Sequence, residues 1–212
     1  MTRMKICGIT SSRDALDAVE AGAAYIGLNF YRPSPRYVSP ASAREIVSIL
    51  PPGVVSVGVF VNEAKPADVI EIMNTAGVEL AQLHGDENLE YCEAVGFSRV
   101  IKVFRLGPGA DVESAISHPA ASILVDAWAR DLYGGTGKTA DWELAARISA
   151  RRRIFLAGGL GVDNLRSALE RVAPYAVDLN SGVEISPGVK NRDLMLEAAG
   201  ILKETAGVKP VS

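Results

Sequence analysis

What most constrains this chain is a rhythm. Eight times, a short run rich in Val, Ile and Leu is followed by a stretch with helical spacing. The pairs read 4–8 with 12–22, 24–30 with 39–50, 54–61 with about 66–76, and 79–85 with 87–96. They continue as 99–106 with 110–117, 122–128 with 141–150, 153–160 with 162–172, and 175–184 with 191–205. In the first helix Ala15, Leu16, Val19 and Ala23 share a face, and Gly22 supplies a C-cap. In the second, Ser39 and Pro40 stand at the N-cap and first helical positions, and Ile46, Val47 and Leu50 form the apolar stripe. Short apolar runs suit parallel strands covered on both faces, and strict alternation with helices predicts a parallel sheet. Eight equal units predict one closed (β/α)8 barrel, a TIM barrel of the α/β class, spanning residues 1–212 as a single domain. An open doubly wound sheet is the alternative, but equal units offer it no topological switch point.

Composition narrows the function. With 212 residues, 48% of them hydrophobic, the chain can bury a large core. A formal net charge of -3, with Lys and Arg scattered, gives no footprint for nucleic acid. No apolar run approaches the ~18 residues of a membrane span, and the first residues lack a signal-peptide core. Two cysteines, Cys7 and Cys92, make no disulfide framework, so a reducing cytoplasm is expected. Two separated histidines without HExxH or CxxC spacing predict no metal site.

In such a barrel the active site forms at the C-terminal ends of the strands. Those ends carry Cys7 and Gly8, then Arg32, Ser34 and Arg36 in "YRPSPRYV", then Asn62. Gln82, His84 and Gly85 follow, with Lys102, Arg105 and Asp126, and the glycine-rich loop 133–138 reads as a rim flap. Gly158, Gly159, Ser181 and Gly182 close the ring and put unhindered backbone N–H groups where such barrels bind phosphate. Arg36, stiffened by Pro33 and Pro35, suits bidentate pairing with a second anion such as a carboxylate. Asp126 follows an apolar run, which suits a general acid. Cys7 lies three strands away around the ring, so the two face each other across the pocket. His84 reads as a loop tie, His118 as solvated and Cys92 as packing in a helix.

The strings "KICGIT", "GLNFYRPSPRYV", "VGVFVN", "QLHG", "LVDA", "GGTGKTADW", "LAGGL", "VDLNSGVE" and "PGVK" occur in this order. In that combination, over essentially its whole length, the chain resembles the N-(5'-phosphoribosyl)anthranilate isomerases of tryptophan biosynthesis. The resemblance implies an Amadori rearrangement with Cys7 as general base and Asp126 as general acid. It implies that Arg36 binds the substrate carboxylate and Asp178 the sugar hydroxyls. The phosphate would sit on Gly158, Gly159, Ser181 and Gly182. A thiolate base implies a Cys7 pKa pulled below the ordinary ~8.5. The expected partner is a small phosphoribosyl substrate, with no cofactor, on a monomer or homodimer. Two departures stand out. Asn180 replaces the family's small hydroxyl residue, expected near the phosphate, and "PGVKNRD" puts Asp193 two residues late. Indole-3-glycerol phosphate synthase, a sister barrel, and a non-catalytic phosphosugar-binding scaffold are the competing readings. The first needs a lysine acid, a glutamate partner and a longer N-terminal segment; the second needs neither Cys7 nor Asp126.

Overall fold

The computed structural model describes residues 1–107, 109–126 and 140–206. Its eight main strands are β1 (Arg3–Ile6), β2 (Tyr25–Asn29), β3 (Val55–Phe60), β4 (Leu80–Leu83), β5 (Val100–Arg105), β6 (Ser122–Asp126), β7 (Ile154–Ala157) and β8 (Ala176–Leu179). They close into a parallel barrel in sequence order, and β8 pairs back onto β1 through Lys5↔Asp178 and Ile6↔Leu179. Closure removes the open-sheet alternative. The helices are α1 (Ser12–Glu20), α2 (Pro40–Ser48), α3 (Pro66–Ala76), α4 (Leu89–Val95), α5 (Val112–Ser117), α6 (Ala140–Ser149), α7 (Val162–Val172) and α8 (Arg192–Thr205). The glycine-rich loop at 133–138 lies outside the described residues.

Local chemistry sets the boundaries. Ser11, Ser39, Asn88, Asp111 and Asn191 each accept a first-turn N–H and so start their helices. The Asp111 cap moves the start of α5 to Val112, two residues past the sequence expectation. Cys7 lies one residue beyond β1, yet its N–H still bonds the Leu179 carbonyl at 2.8 Å. The eighth unit carries an addition that periodicity did not predict. After β8 the chain folds into a small antiparallel hairpin, β9 (Glu184–Ser186) and β10 (Val189–Lys190), before α8. Ser186, Pro187 and Gly188 turn it, with Gly188 at φ 85°.

The two-residue period of each strand sorts the core into two layers. Ile6, Ile26, Leu28, Phe60, Leu83, Val125, Leu156 and Leu179 face outward and pack under the helices. Tyr25, Val57, Ile101, Val103, Leu124, Phe155, Ala157 and Ala176 fill the interior. Aromatics plug the lower barrel, where Phe155 meets Tyr25 and Tyr175 edge-on at centroid distances of 5.0 and 5.9 Å. The same inward period carries Lys5, Cys7, Gln82, His84, Asp126, Asp178 and Asn180 toward the upper, C-terminal mouth. The interior is apolar below and charged above.

Candidate active site

The mouth is densest where β1 meets β8. Cys7 is 7% exposed and faces inward. Gly27 of β2 makes room for it: a Cβ there would stand 2.8 Å from the Cys7 sulfur. Lys5, two residues earlier on the same face, is fully buried, and its Nζ donates to Asp178 Oδ2 at 2.8 Å. The other Asp178 oxygen, Oδ1, is buried with no hydrogen-bond partner among the described residues. Burial pushes the Cys7 thiol up; Lys5 and Lys190 pull it down and Asp178 adds to the rise, and burial prevails. This corrects the expectation of a lowered thiol. In the described state Cys7 is harder to ionise than a free cysteine, and the cations only moderate the effect. Burial likewise works against charge on Lys5, but Asp178 and Cys7 outweigh it and raise its pKa.

A second cluster stands beside the thiol. Arg36 grips Glu184 bidentately, Nε to Oε1 at 2.9 Å and Nη2 to Oε2 at 2.6 Å. Lys190 Nζ reaches the same Oε1 at 2.7 Å, with its side chain fully buried. Burial works to raise the Glu184 carboxyl, but Arg36 and Lys190 hold it below the usual carboxylate range. The loop that presents Arg36 is tied by Ser34, whose hydroxyl accepts from the Arg36 N–H and the Asn29 amide, each at 3.1 Å. Asn180, where the family has a small hydroxyl residue, accepts from Lys190 Nζ through its Oδ1 at 3.0 Å. A Cβ on Gly8 would lie 2.6 Å from Arg36 Cδ and 2.7 Å from Asn180 Oδ1. Gly8, at φ 71°, therefore lets the whole cluster close around the thiol. Asn191 directly follows Lys190 and caps α8, accepting from the Asp193 and Leu194 N–H groups at 2.9 and 3.2 Å.

Across the mouth, Asp126 ends β6 with its side chain 24% exposed. His84, read from sequence as a loop tie, presents Nε2 to Asp126 Oδ2 at 3.7 Å. The Gln82 amide meets His84 Nδ1 at 3.0 Å and orients the ring. Behind this rim, buried Lys102 donates to Glu87 at 2.7 Å and to the Gly85 carbonyl at 2.9 Å. Glu87 in turn accepts from the Asn62 and Gly85 N–H groups. These contacts brace the loops after β3 and β4. His118 is half-buried rather than solvated. It stands edge-on to Phe97 and Phe104, accepts from the Ala120 N–H, and is pushed down by burial. Cys92 is fully buried in α4, as its packing role required.

Gly158 and Gly159 take φ of 102° and 62°, which turns the chain from β7 toward α7. Asn164 ties this turn, accepting from the Gly161 N–H and donating to the Gly159 carbonyl. Gly161 bridges to Gly182. A Cβ on Gly182 would fall 2.1 Å from the Leu160 carbonyl oxygen, so no larger residue fits. The loops after β7 and β8 thus meet backbone to backbone at the N-terminus of α7, the end of a helix that favours an anion.

The description "N-(5'phosphoribosyl)anthranilate (PRA) isomerase" belongs to a family model that matches residues 4–199. The chain belongs to this family. An N-(5'-phosphoribosyl)anthranilate isomerase from Trichlorobacter lovleyi is 45% identical over 205 residues, 96% of this chain and 99% of that protein. One from Geobacter sulfurreducens is 48% identical over 191 residues, 90% of this chain and 93% of that one. The crystal structure of the Thermotoga maritima phosphoribosyl anthranilate isomerase superposes with a TM-score of 0.87 at 42% identity, covering 96% of this chain and 100% of that one. Another isomerase was solved with reduced 1-(o-carboxyphenylamino)-1-deoxyribulose 5-phosphate; it is 39% identical with a TM-score of 0.84, covering 96% and 100%. Among the described residues, no helix is long and apolar enough to cross a membrane.

Within this isomerase scaffold, the sequence reading named Cys7, Arg36, Asp126, Asp178 and the glycine pair as site candidates, and the structure sets Cys7, Asp126 and Asp178 on the inward face of their strands. The reading passed over Lys5, Gly27, Glu184 and Lys190. The signal for Lys5 was its alternation with Ile6 in "KIC". In a closed barrel the face alternate to the helices is the interior, so a polar residue there is buried.

Proposed function

We propose that this chain converts N-(5'-phosphoribosyl)anthranilate to 1-(2-carboxyphenylamino)-1-deoxyribulose 5-phosphate by an Amadori rearrangement, as a step of tryptophan biosynthesis. The observation that most supports it is the opposition of a buried, cation-flanked thiol on one rim and a partly exposed carboxyl on the other. Asp126 protonates the ribose ring oxygen, and the ring opens to a Schiff base. Cys7, as thiolate, removes the proton from C2', and the resulting enolamine tautomerises to the ketone. The redox change is internal to the substrate, so the reaction needs only proton transfers. The α7 N-terminus with Ser181 and Gly182 takes the phosphate, Arg36 the anthranilate carboxylate, and the upper interior near Asp178 the sugar.

A thiol raised by burial is mostly protonated at neutral pH. Its basic form grows as pH rises, so kcat/KM should climb through the alkaline range until the raised pKa is passed. The test is a fluorescence assay that follows disappearance of the anthranilate substrate. Cys7→Ser should lower kcat at least ~10²-fold with a modest change in KM, whereas Cys92→Ser should alter turnover little. Near-normal turnover by Cys7→Ser would overturn the assignment of the base.

A further inference from the structure

Lys5 is a fully buried charge to which the chemistry above gives no task. Lining the same interior are Tyr25, Val57, Phe155 and Ala176, all largely apolar. A buried ion pair is seldom the most stable filling of such a place; apolar residues of similar volume usually serve as well or better. Asp178 does not explain Lys5 either. Its carboxylate is itself buried and keeps one oxygen without a partner among the described residues, a further cost. The pair is therefore retained for what stands next to it.

Next to it stands Cys7. The groups that act on the thiol come from every neighbouring element. Lys5 comes from β1, Arg36 from the loop after β2, Asp178 from β8, and Lys190, with its partner Glu184, from the hairpin. Asn180 contributes an uncharged amide. Three cations thus face two carboxylates. Arg36 and Lys190 share Glu184, and Lys5 holds one oxygen of Asp178. Among these side chains positive charge exceeds negative while Cys7 is a thiol, and the excess shrinks when Cys7 ionises; Asp14 of α1 meets the cluster through the Lys190 backbone N–H, which it accepts at 3.2 Å.

We propose that Lys5, oriented by Asp178, is the positioning residue that supplies the counter-charge of the Cys7 thiolate. This rests on the reading of Cys7 as the base. When the thiol loses its proton to water, the sulfur anion forms beside an ammonium already in place, and no group has to move to receive it. Asp178 then acts chiefly through Lys5, and its second oxygen is left for the sugar.

The experiment uses Cys92→Ser protein, so that Cys7 is the only thiol. Its ionisation is followed by ultraviolet thiolate absorbance and by the pH dependence of alkylation with iodoacetamide. Lys5→Met should move the titration midpoint upward by at least about one pH unit. The thiolate fraction, and with it kcat/KM at neutral pH, should fall about tenfold, with the rate recovering at high pH. Inorganic phosphate should bind as before. Lys5→Met leaves Asp178 unpaired in the interior, so Lys5→Met with Asp178→Asn is made alongside as the variant that removes both charges. Lys5→Arg, which keeps the charge, should hold the midpoint near that of the parent. A folded Lys5→Met with an unmoved midpoint would overturn the proposal, as would an equal shift in Lys5→Arg; the double variant, which loses a cation and an anion together, should shift upward by less than Lys5→Met, and a downward shift in it would overturn the proposal as well. These outcomes are separable from failure of the base reading, which shows as turnover surviving Cys7→Ser.

Discussion

The two rims of the barrel mouth are built on opposite plans. Along β8, β1 and the β9–β10 hairpin the charges are buried and interlocked, with the side chains of Lys5 and Lys190 at 0% exposure and that of Glu184 at 4%. Around β4 and β6 the groups are more exposed, with the side chains of His84 and Asp126 at 28% and 24% and separated by 3.7 Å. The difference follows from what each rim is proposed to do. A base that must become an anion away from water needs its counter-charges fixed beforehand. An acid that hands a proton to a ligand oxygen can stay in reach of solvent, which reloads it.

The comparison breaks most sharply at Asp126. Asp126→Asn keeps the shape and removes the transferable proton. Turnover should fall by at least ~10²-fold, while binding of a reduced product analogue stays within a few-fold. Measuring kcat and the analogue Kd on the same preparation checks this. A loss of binding as large as the loss of rate would mean that the acid rim, like the base rim, is a preorganised binding wall.

Glu184 tests the opposite rim. Glu184→Gln leaves Arg36 and Lys190 without their shared carboxylate. KM should rise about tenfold as Arg36 loses its fixed orientation, with kcat reduced less. Removing one partner of a buried pair also costs stability, on the order of 3 kcal/mol, read by urea unfolding. The pH dependence carries the sign. The native Glu184 carboxyl is held low, so its contribution is complete above the unfolded value near ~4.3. It is lost as pH falls through the lower native value, so the parent protein should lose stability across that window and the Gln variant should lack that component.

How much of this was legible beforehand depended on whether neighbours in space were also neighbours in pattern. The barrel was readable because each strand–helix unit repeats one local rule. Cys7 and Asp126 were readable because strand ends define the mouth. The close approach of the loops after β7 and β8 was readable because both strand ends carry glycines, and the structure shows that no side chain fits at Gly182. The Glu184–Arg36–Lys190 cluster was not, because it needs a hairpin to carry Lys190 back onto Glu184. The turn was written in Ser186-Pro187-Gly188, but the apolar pattern on either side is too short to announce strands. The lowered thiol pKa was a false expectation for a related reason. The motif named the cations' neighbour but not the depth of burial, and burial is the larger effect.

The smallest effect should come from His84. The Gln82 amide lies 3.0 Å from His84 Nδ1, and Nε2 is directed toward Asp126. At 3.7 Å this is beyond a normal hydrogen bond, so it orients the carboxyl only weakly. His84→Gln should therefore cost a few-fold in kcat and leave stability nearly unchanged, because the loop is braced separately by Lys102 and Glu87. Steady-state kinetics beside a thermal melt give both numbers. If His84→Gln proved as damaging as Asp126→Asn, the ring would be part of the proton delivery itself. The acid rim would then be as tightly engineered as the base rim, with its coupling formed only when substrate draws the two side chains together.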